Sequence, residues 1–170
     1  RAGPTDEAFV MHEPIFLLGA HKSGTSLLRS CLDGHPSLFV VPFEMHVFQL
    51  ARYWVEYRLR RTAPGELSLD GVRRAYLDNL SRANAFADRT GDSDLVGKLR
   101  VERARAELAE TPDDLAALIE AYVRAAWAAV HDGTLPAGLR IVEKSVEHAE
   151  FAVDLRQLFP GARFVHVVRN

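Results

Sequence analysis

Short apolar runs alternate with amphipathic stretches along this chain. Four of these runs have the length and continuity of buried parallel strands: residues 15–18, 38–41, 140–143 and 163–168. Helical spacing of apolar residues occupies 25–32, most of about 45–131, and 147–158. Strands that alternate with helices predict an α/β fold of three layers around a central parallel sheet. The long helical stretch predicts a helical insertion between the second and third strands. Within it, Thr111-Pro112-Asp113-Asp114 predicts the start of a helix, with Thr111 as its cap.

Length and composition narrow the class of protein. The 170 residues fit a single domain, 1–170, with the helical segment at about 45–131. A net charge of -2 gives no basic field for nucleic acid or an acidic membrane. The single cysteine, Cys31, excludes an intrachain disulfide, and its place on a helix predicts a small core residue. No apolar run is long enough for a membrane span, and residues 1–13 lack a signal-peptide pattern, so we expect a cytoplasmic protein.

Chemically capable residues follow each of the four strands. Gly19, Glu44, Lys144 and Arg169 stand just after the first, second, third and fourth strand. The carboxyl ends of parallel strands meet at one edge of a sheet, where ligands bind in such folds. The sequence therefore predicts that these four residues converge on one site.

The segment from Gly19 to Ser26, here called the phosphate loop, predicts an anion cradle. Two glycines let the backbone curl, Lys22 supplies charge, and the following helix adds the partial positive charge of its N-terminus. The glycine spacing is that of Walker A and makes the fold P-loop-like. However, Thr25 stands where a Walker A lysine belongs, which disfavours an ATP- and Mg²⁺-dependent kinase. No Asp closes either late strand, and His12, His35 and His131 show no metal-ligand spacing, so no metal is expected.

At this level of detail the chain resembles the sulfotransferases that use 3′-phosphoadenosine-5′-phosphosulfate (PAPS). Four segments carry the resemblance: Pro-Ile-Phe-Leu-Leu-Gly-Ala-His-Lys-Ser-Gly-Thr-Ser-Leu-Leu at 14–28, Leu-Asp-Gly-His-Pro at 32–36, Glu-Lys-Ser and then His within 143–148, and Phe-Pro-Gly-Ala-Arg-Phe-Val-His-Val-Val-Arg at 159–169. They are most similar to the tyrosylprotein and Golgi-type branches. The resemblance covers 14–44 and 140–170.

The resemblance implies a donor site at the phosphate loop. Its residues would be His21, Lys22, Ser23, Gly24, Thr25 and Ser26, together with Arg169 for the 3′-phosphate. Lys22 would also help the leaving group depart. The family places a partner of Arg169 a few residues later, beyond Asn170, so we expect the chain to be incomplete at its C-terminus. PAPS would be the co-substrate, and no metal would take part.

The resemblance also implies the residues that act on the acceptor. Glu44 would be the base, and its competing interpretation is a carboxylate at a helix start, favoured by the helix dipole. His46 is the weaker candidate for the base and otherwise a bystander. Lys144 would approach the transferring sulfate. Ser145-Val146 replaces the family's Thr-Pro, and the competing interpretation of Lys144 is a surface ion pair with Glu143.

Three functions stay open at this stage. The first is sulfuryl transfer to an acceptor hydroxyl or amine of a small molecule, sugar or peptide. The second is an ATP- and Mg²⁺-dependent small-molecule kinase of the P-loop type. The third is a non-catalytic binding module with a sulfotransferase-like fold. The acceptor and the oligomeric state are likewise open.

Overall fold

The computed structural model describes residues 11–51, 68–90 and 99–169, without the side chains of 84–90. Its centre is a sheet of four parallel strands, in the order β2-β3-β1-β4. The strands are β1 (Ile15–Gly19), β2 (Leu38–Val40), β3 (Arg140–Glu143) and β4 (Arg163–Val167). The four predicted strands are confirmed, and their carboxyl ends share one edge of the sheet.

Helices connect the strands. They are α1 (Thr25–Leu32), α2 (Val47–Leu50), α3 (Leu69–Thr90), α4 (Val101–Glu107), α5 (Leu115–Val130) and α6 (Ala152–Leu158), with a 3₁₀ turn at Val146–Ala149. Helices α2 to α5 lie between β2 and β3 in the chain, which confirms the predicted helical insertion. None of the helices in the described ranges is long and apolar enough to cross a membrane.

Side chains that alternate along β1 divide the core into two parts. Phe16 and Leu18 belong to the large cluster that includes the buried faces of α3 and α5. Leu17, on the opposite face, packs with Val40 and Val142 and with Leu28 and Leu32 of α1. The sheet is therefore the middle layer between the inserted helices and α1, as the α/β pattern predicts.

The inserted helices are joined by aromatic stacking. Tyr76 of α3 and Tyr122 of α5 are fully buried, with ring centroids 4.2 Å apart and ring planes 9° from parallel. Asn79 of α3 donates from Nδ2 to the Tyr122 hydroxyl at 2.8 Å and to the main-chain oxygen of Glu44 at 2.9 Å. The insertion thus supports the segment that follows β2.

Three local predictions were wrong. Cys31 is exposed rather than a core residue, because α1 packs through Leu28 and Leu32. The helix predicted at 147–158 is split into the 3₁₀ turn and α6. The helix expected to start at Thr111 begins at Leu115 instead, capped by the Asp114 carboxylate, which accepts from Ala117 N at 2.8 Å.

Candidate active site

The phosphate loop joins β1 to α1 through a tight turn. Ser23 N donates to Ala20 O at 3.1 Å, and Lys22 and Gly24 both have left-handed backbone, with φ of 61° and 105°. Gly24 caps α1 without a side-chain hydrogen bond to the first turn. Among the described residues, the buried Ser23 Oγ has no hydrogen-bond partner. The loop therefore keeps a hydroxyl and helix-end N–H groups available for an anion.

The predicted donor residues lie together here. Thr25 is buried, while His21, Lys22 and Ser26 are exposed at the surface of the loop. Arg169, two residues past β4, donates from Nη1 to Lys22 O at 3.4 Å. The exposed Arg169 guanidinium thus sits beside the loop, as expected from the adjacent positions of β1 and β4 in the sheet.

Glu44 and Lys144 meet on the other side of β1, past the ends of β2 and β3. The Lys144 ammonium contacts Glu44 Oε1 directly. The Lys144 side chain is 5% exposed and that of Glu44 is 29% exposed, so the carboxylate is the part of the pair that faces outward. Val146 N donates to Glu44 Oε2 at 3.4 Å. The interpretation of Lys144 as half of a surface ion pair with Glu143 is therefore wrong, because Lys144 is buried and pairs with Glu44.

His46 stands beside this pair and is held by a residue that the sequence did not single out. Its Nδ1 lies 3.0 Å from both carboxylate oxygens of Glu147, and its Nε2 lies 3.8 Å from Glu44 Oε2. His46 has left-handed backbone, with φ of 51°, and its N–H donates to Ser145 Oγ at 3.0 Å. The imidazole is thereby aimed at Glu44.

A second buried pair lies beneath the first. Glu143, the last residue of β3, is 2% exposed, and its Oε2 lies 2.6 Å from Nδ1 of the fully buried His148. His148 Nε2 lies 3.9 Å from Glu147 Oε1. Sequence reasoning gave Glu143 and His148 no role beyond a family pattern. The signal for them was the family-like segment Glu-Lys-Ser followed by His within 143–148.

The charges of this cluster shift one another's titration. Burial on its own would lower the pKa of His46 and of His148, but Glu147 and Glu143 respectively outweigh it and raise both. Burial would likewise raise the pKa of Glu147, but the hydrogen bond from His46 and the charges of both histidines lower it. Each imidazole is therefore stabilised as a cation next to a carboxylate.

One group of side chains has the composition of a cation site. Glu44, His46 and Glu147 each offer a ligand atom, and the three atoms lie within 4.8 Å of one another. However, Lys144 already contacts Glu44, and His46 Nδ1 already contacts Glu147. A bound metal would have to displace both internal cations, so the donor set favours the salt-bridged arrangement.

We expect Gly19→Ala to destabilise the protein, because an added Cβ would lie 2.6 Å from Ser23 Oγ and 2.9 Å from the main-chain Val167 O. Overpacking of this kind costs about 1–3 kcal/mol of unfolding free energy, measurable by urea denaturation. Gly71→Ala is the control, since its Cβ would meet only Ser68 Oγ at 3.2 Å, within a helix that favours alanine. Equal stability of the two variants would contradict the tight packing at Gly19.

We also expect the unfolding free energy to fall as pH rises above about 6.5, the ordinary histidine pKa. Because the pKa of His46 and of His148 is raised in the folded protein, both histidines stabilise the fold below about pH 6.5. This stabilisation is lost as the pH rises past the raised pKa. The pKa of Glu147 is lowered, so this carboxylate stabilises the fold at higher pH, and its stabilisation is lost as the pH falls below about 4.5. Denaturation across pH should show a shallower alkaline decline in His148→Gln than in the parent or in His166→Gln, a change at an exposed histidine. Parallel curves for all three proteins would contradict the charged state of His148.

The chain is similar to a family of known sequences and to a solved structure. None of the curated proteins compared with the chain matches it. Among solved structures, the sulfotransferase domain from the Synechococcus PCC 7002 olefin synthase aligns at 23% identity and a TM-score of 0.46, over 93% of this chain. The alignment covers 50% of that domain, so the chain spans half its length. The sequence model of the sulfotransferase family matches residues 14–170, and the chain therefore belongs to the sulfotransferase family.

Proposed function

We propose that this protein transfers a sulfuryl group from PAPS to an acceptor hydroxyl or amine of a small molecule, sugar or peptide, without a metal. The observation that carries the proposal is the position of two charged elements on one edge of the sheet. One is the phosphate loop after β1, and the other is the Glu44–Lys144 pair after β2 and β3. Membership of the sulfotransferase family supports sulfuryl transfer over other uses of such an edge.

The phosphate loop has the donors that a 5′-phosphosulfate requires. The unpartnered Ser23 hydroxyl and the uncapped start of α1 supply hydrogen bonds, and Thr25 and Ser26 stand in the first helical turn. Exposed Lys22 adds a full positive charge. Arg169 would bind the 3′-phosphate, as the family resemblance implies, by turning its guanidinium from Lys22 O toward the nucleotide.

In the transfer step, the acceptor oxygen forms a bond to sulfur while the bond from sulfur to the bridging phosphate oxygen breaks. Negative charge develops on 3′,5′-adenosine bisphosphate, the leaving group, and Lys22 stabilises it. The acceptor proton passes to Glu44, which the Lys144 ammonium contacts before the step. As charge leaves Glu44, the Lys144 ammonium becomes free to attract the sulfuryl oxygens.

The donor site can be tested by calorimetric titration with 3′,5′-adenosine bisphosphate, in parallel with ATP plus Mg²⁺. We expect metal-free binding of the bisphosphate and ATP binding at least about 10-fold weaker. Lys22→Ala should weaken bisphosphate binding by about 10- to 100-fold and abolish turnover, since one charge-assisted contact contributes about 1.5–3 kcal/mol. Lys22→Arg, which keeps the charge, is the control.

Other outcomes would point to the two competing functions. Preference for ATP with Mg²⁺ would move the protein to the kinase class. Metal-free binding of the bisphosphate with no transfer from PAPS to any acceptor would favour the non-catalytic binding module. Parental turnover by Lys22→Ala would contradict the role of the loop lysine.

Glu44→Gln should lower kcat by about 100- to 10,000-fold while bisphosphate affinity stays within about 3-fold, because the change removes a general base and leaves the phosphate loop intact. The measurement is steady-state transfer from PAPS, with Glu150→Gln as the control, at an exposed glutamate directly after the 3₁₀ turn. A loss of donor affinity in Glu44→Gln would place Glu44 outside the role of base.

A further inference from the structure

Glu143 is a buried carboxylate with three polar contacts, two on one oxygen. Its Oε1 accepts from Met45 N at 3.1 Å and from the Ser145 hydroxyl. Its Oε2 faces His148 Nδ1 at 2.6 Å. A charge removed from water at this depth is costly unless it is paired and hydrogen-bonded, so such a group is seldom retained without a use.

The contacts of Glu143 continue the pairing of two strands past the end of the sheet. Val41 N donates to Val142 O at 2.9 Å, as in a regular parallel ladder. Beyond that point side chains supply the acceptors: Met45 N donates to Glu143, and His46 N donates to Ser145 Oγ. The segment after β2 is thus fixed to the segment after β3 through the Glu143 carboxylate and the hydroxyl that is bonded to it.

His148 provides the remaining contact of the Glu143 carboxylate. It is fully buried between the ring edges of Phe16 and Phe48, with centroid distances of 5.8 and 6.0 Å. Its Nδ1 supplies the countercharge for Glu143, and it lies in the 3₁₀ turn that also carries Glu147. The turn is therefore fixed against β3 by the same carboxylate.

We propose that Glu143 is the positioning residue of the active site, which sets the distance and orientation of Glu44 relative to Lys144. Each of these two residues is joined by one peptide bond to a residue in the Glu143 network: Glu44 precedes Met45, and Lys144 follows Glu143. Displacement of catalytic groups by about 1 Å can cost about 100-fold in rate. The proposal rests on the function proposed above, because the roles of Glu44 and Lys144 come from that function. Glu143 itself contacts no substrate in this proposal.

The test compares Glu143→Ala with the conservative Glu143→Gln. The glutamine keeps an oxygen for Met45 N and Ser145 and gives an N–H group to a neutral His148, whereas the alanine leaves all three without their partner. We expect Glu143→Ala to lower kcat by about 100-fold and Glu143→Gln by less than about 10-fold. Affinity for 3′,5′-adenosine bisphosphate should stay within about 3-fold in both, because the phosphate loop lies on β1.

A second measurement needs no activity. Hydrogen exchange at the amides of Met45 and His46 should accelerate in Glu143→Ala and stay slow in Glu143→Gln. Glu120→Ala is the matched control, because Glu120 Oε1 also accepts a hydrogen bond from a main-chain N–H. The donor is Met11 N at 3.0 Å, which precedes the N-terminal end of β1. It should leave exchange at Met45 and His46 unchanged.

Three results would overturn the proposal. One is parental kcat in Glu143→Ala, and another is unchanged exchange at Met45 and His46. The third is a parallel loss of kcat and donor affinity that Glu143→Gln does not relieve, which would indicate a purely structural pair. If the parent protein transfers no sulfate from PAPS, the proposed function fails, while the exchange measurement still decides whether Glu143 holds this segment.

If Glu143→Ala does not fold, Ser145→Ala replaces it. That change removes the acceptor of His46 N and leaves the Glu143–His148 pair in place. We expect a loss of about 10-fold in kcat with donor affinity unchanged, and faster exchange at His46. Ser30→Ala, at an exposed serine of α1, is its control, and equal kcat in the two variants would overturn the proposal.

Discussion

The parallel direction of all four strands is the constraint on which the rest of the molecule depends. Because every strand ends at the same edge, Glu44 contacts Lys144 although they are 100 positions apart in the chain, and Arg169 reaches Lys22 across 147 positions. Strand order then divides the edge. The ends of β1 and β4 bear the phosphate loop and Arg169, and the ends of β2 and β3 bear Glu44 and Lys144. The proposed function would thus place the donor and the acceptor on adjacent halves of one surface.

Local sequence predicts the first half of this edge well. The phosphate loop is built from contacts within eight residues. Its glycines, lysine and hydroxyls are therefore enough to predict a turn that presents N–H groups and hydroxyls to an anion. The strands are equally readable, because both faces of a parallel sheet are covered and the runs are therefore continuously apolar. The family resemblance implies which anion the loop would bind, a 5′-phosphosulfate.

The second half depends on contacts that the sequence could not supply. Glu143 and Lys144 look like a surface pair because adjacent opposite charges usually are one, yet each is buried with a partner elsewhere: His148 for Glu143 and Glu44 for Lys144. Which charges a fold buries depends on the packing of distant segments, and periodicity does not report it. Cys31 is the opposite case, a residue predicted to be buried that is exposed. Helix α1 has apolar residues on more than one side, and the sequence does not show which side packs against the sheet.

Lys22 and His46 share a feature whose consequence is evolutionary. Both are non-glycine residues in left-handed backbone, one in each half of the site, and such a conformation costs about 1–2 kcal/mol that glycine would avoid. At Lys22, which is exposed, selection for thermal robustness alone would favour glycine or asparagine and would remove the ammonium of the phosphate loop. At His46 the pair with Glu147 offsets the cost of the backbone conformation, so the same selection would act less strongly there. A laboratory lineage evolved only for heat tolerance would therefore lose Lys22 before His46, whereas selection for the charge of the loop would retain it.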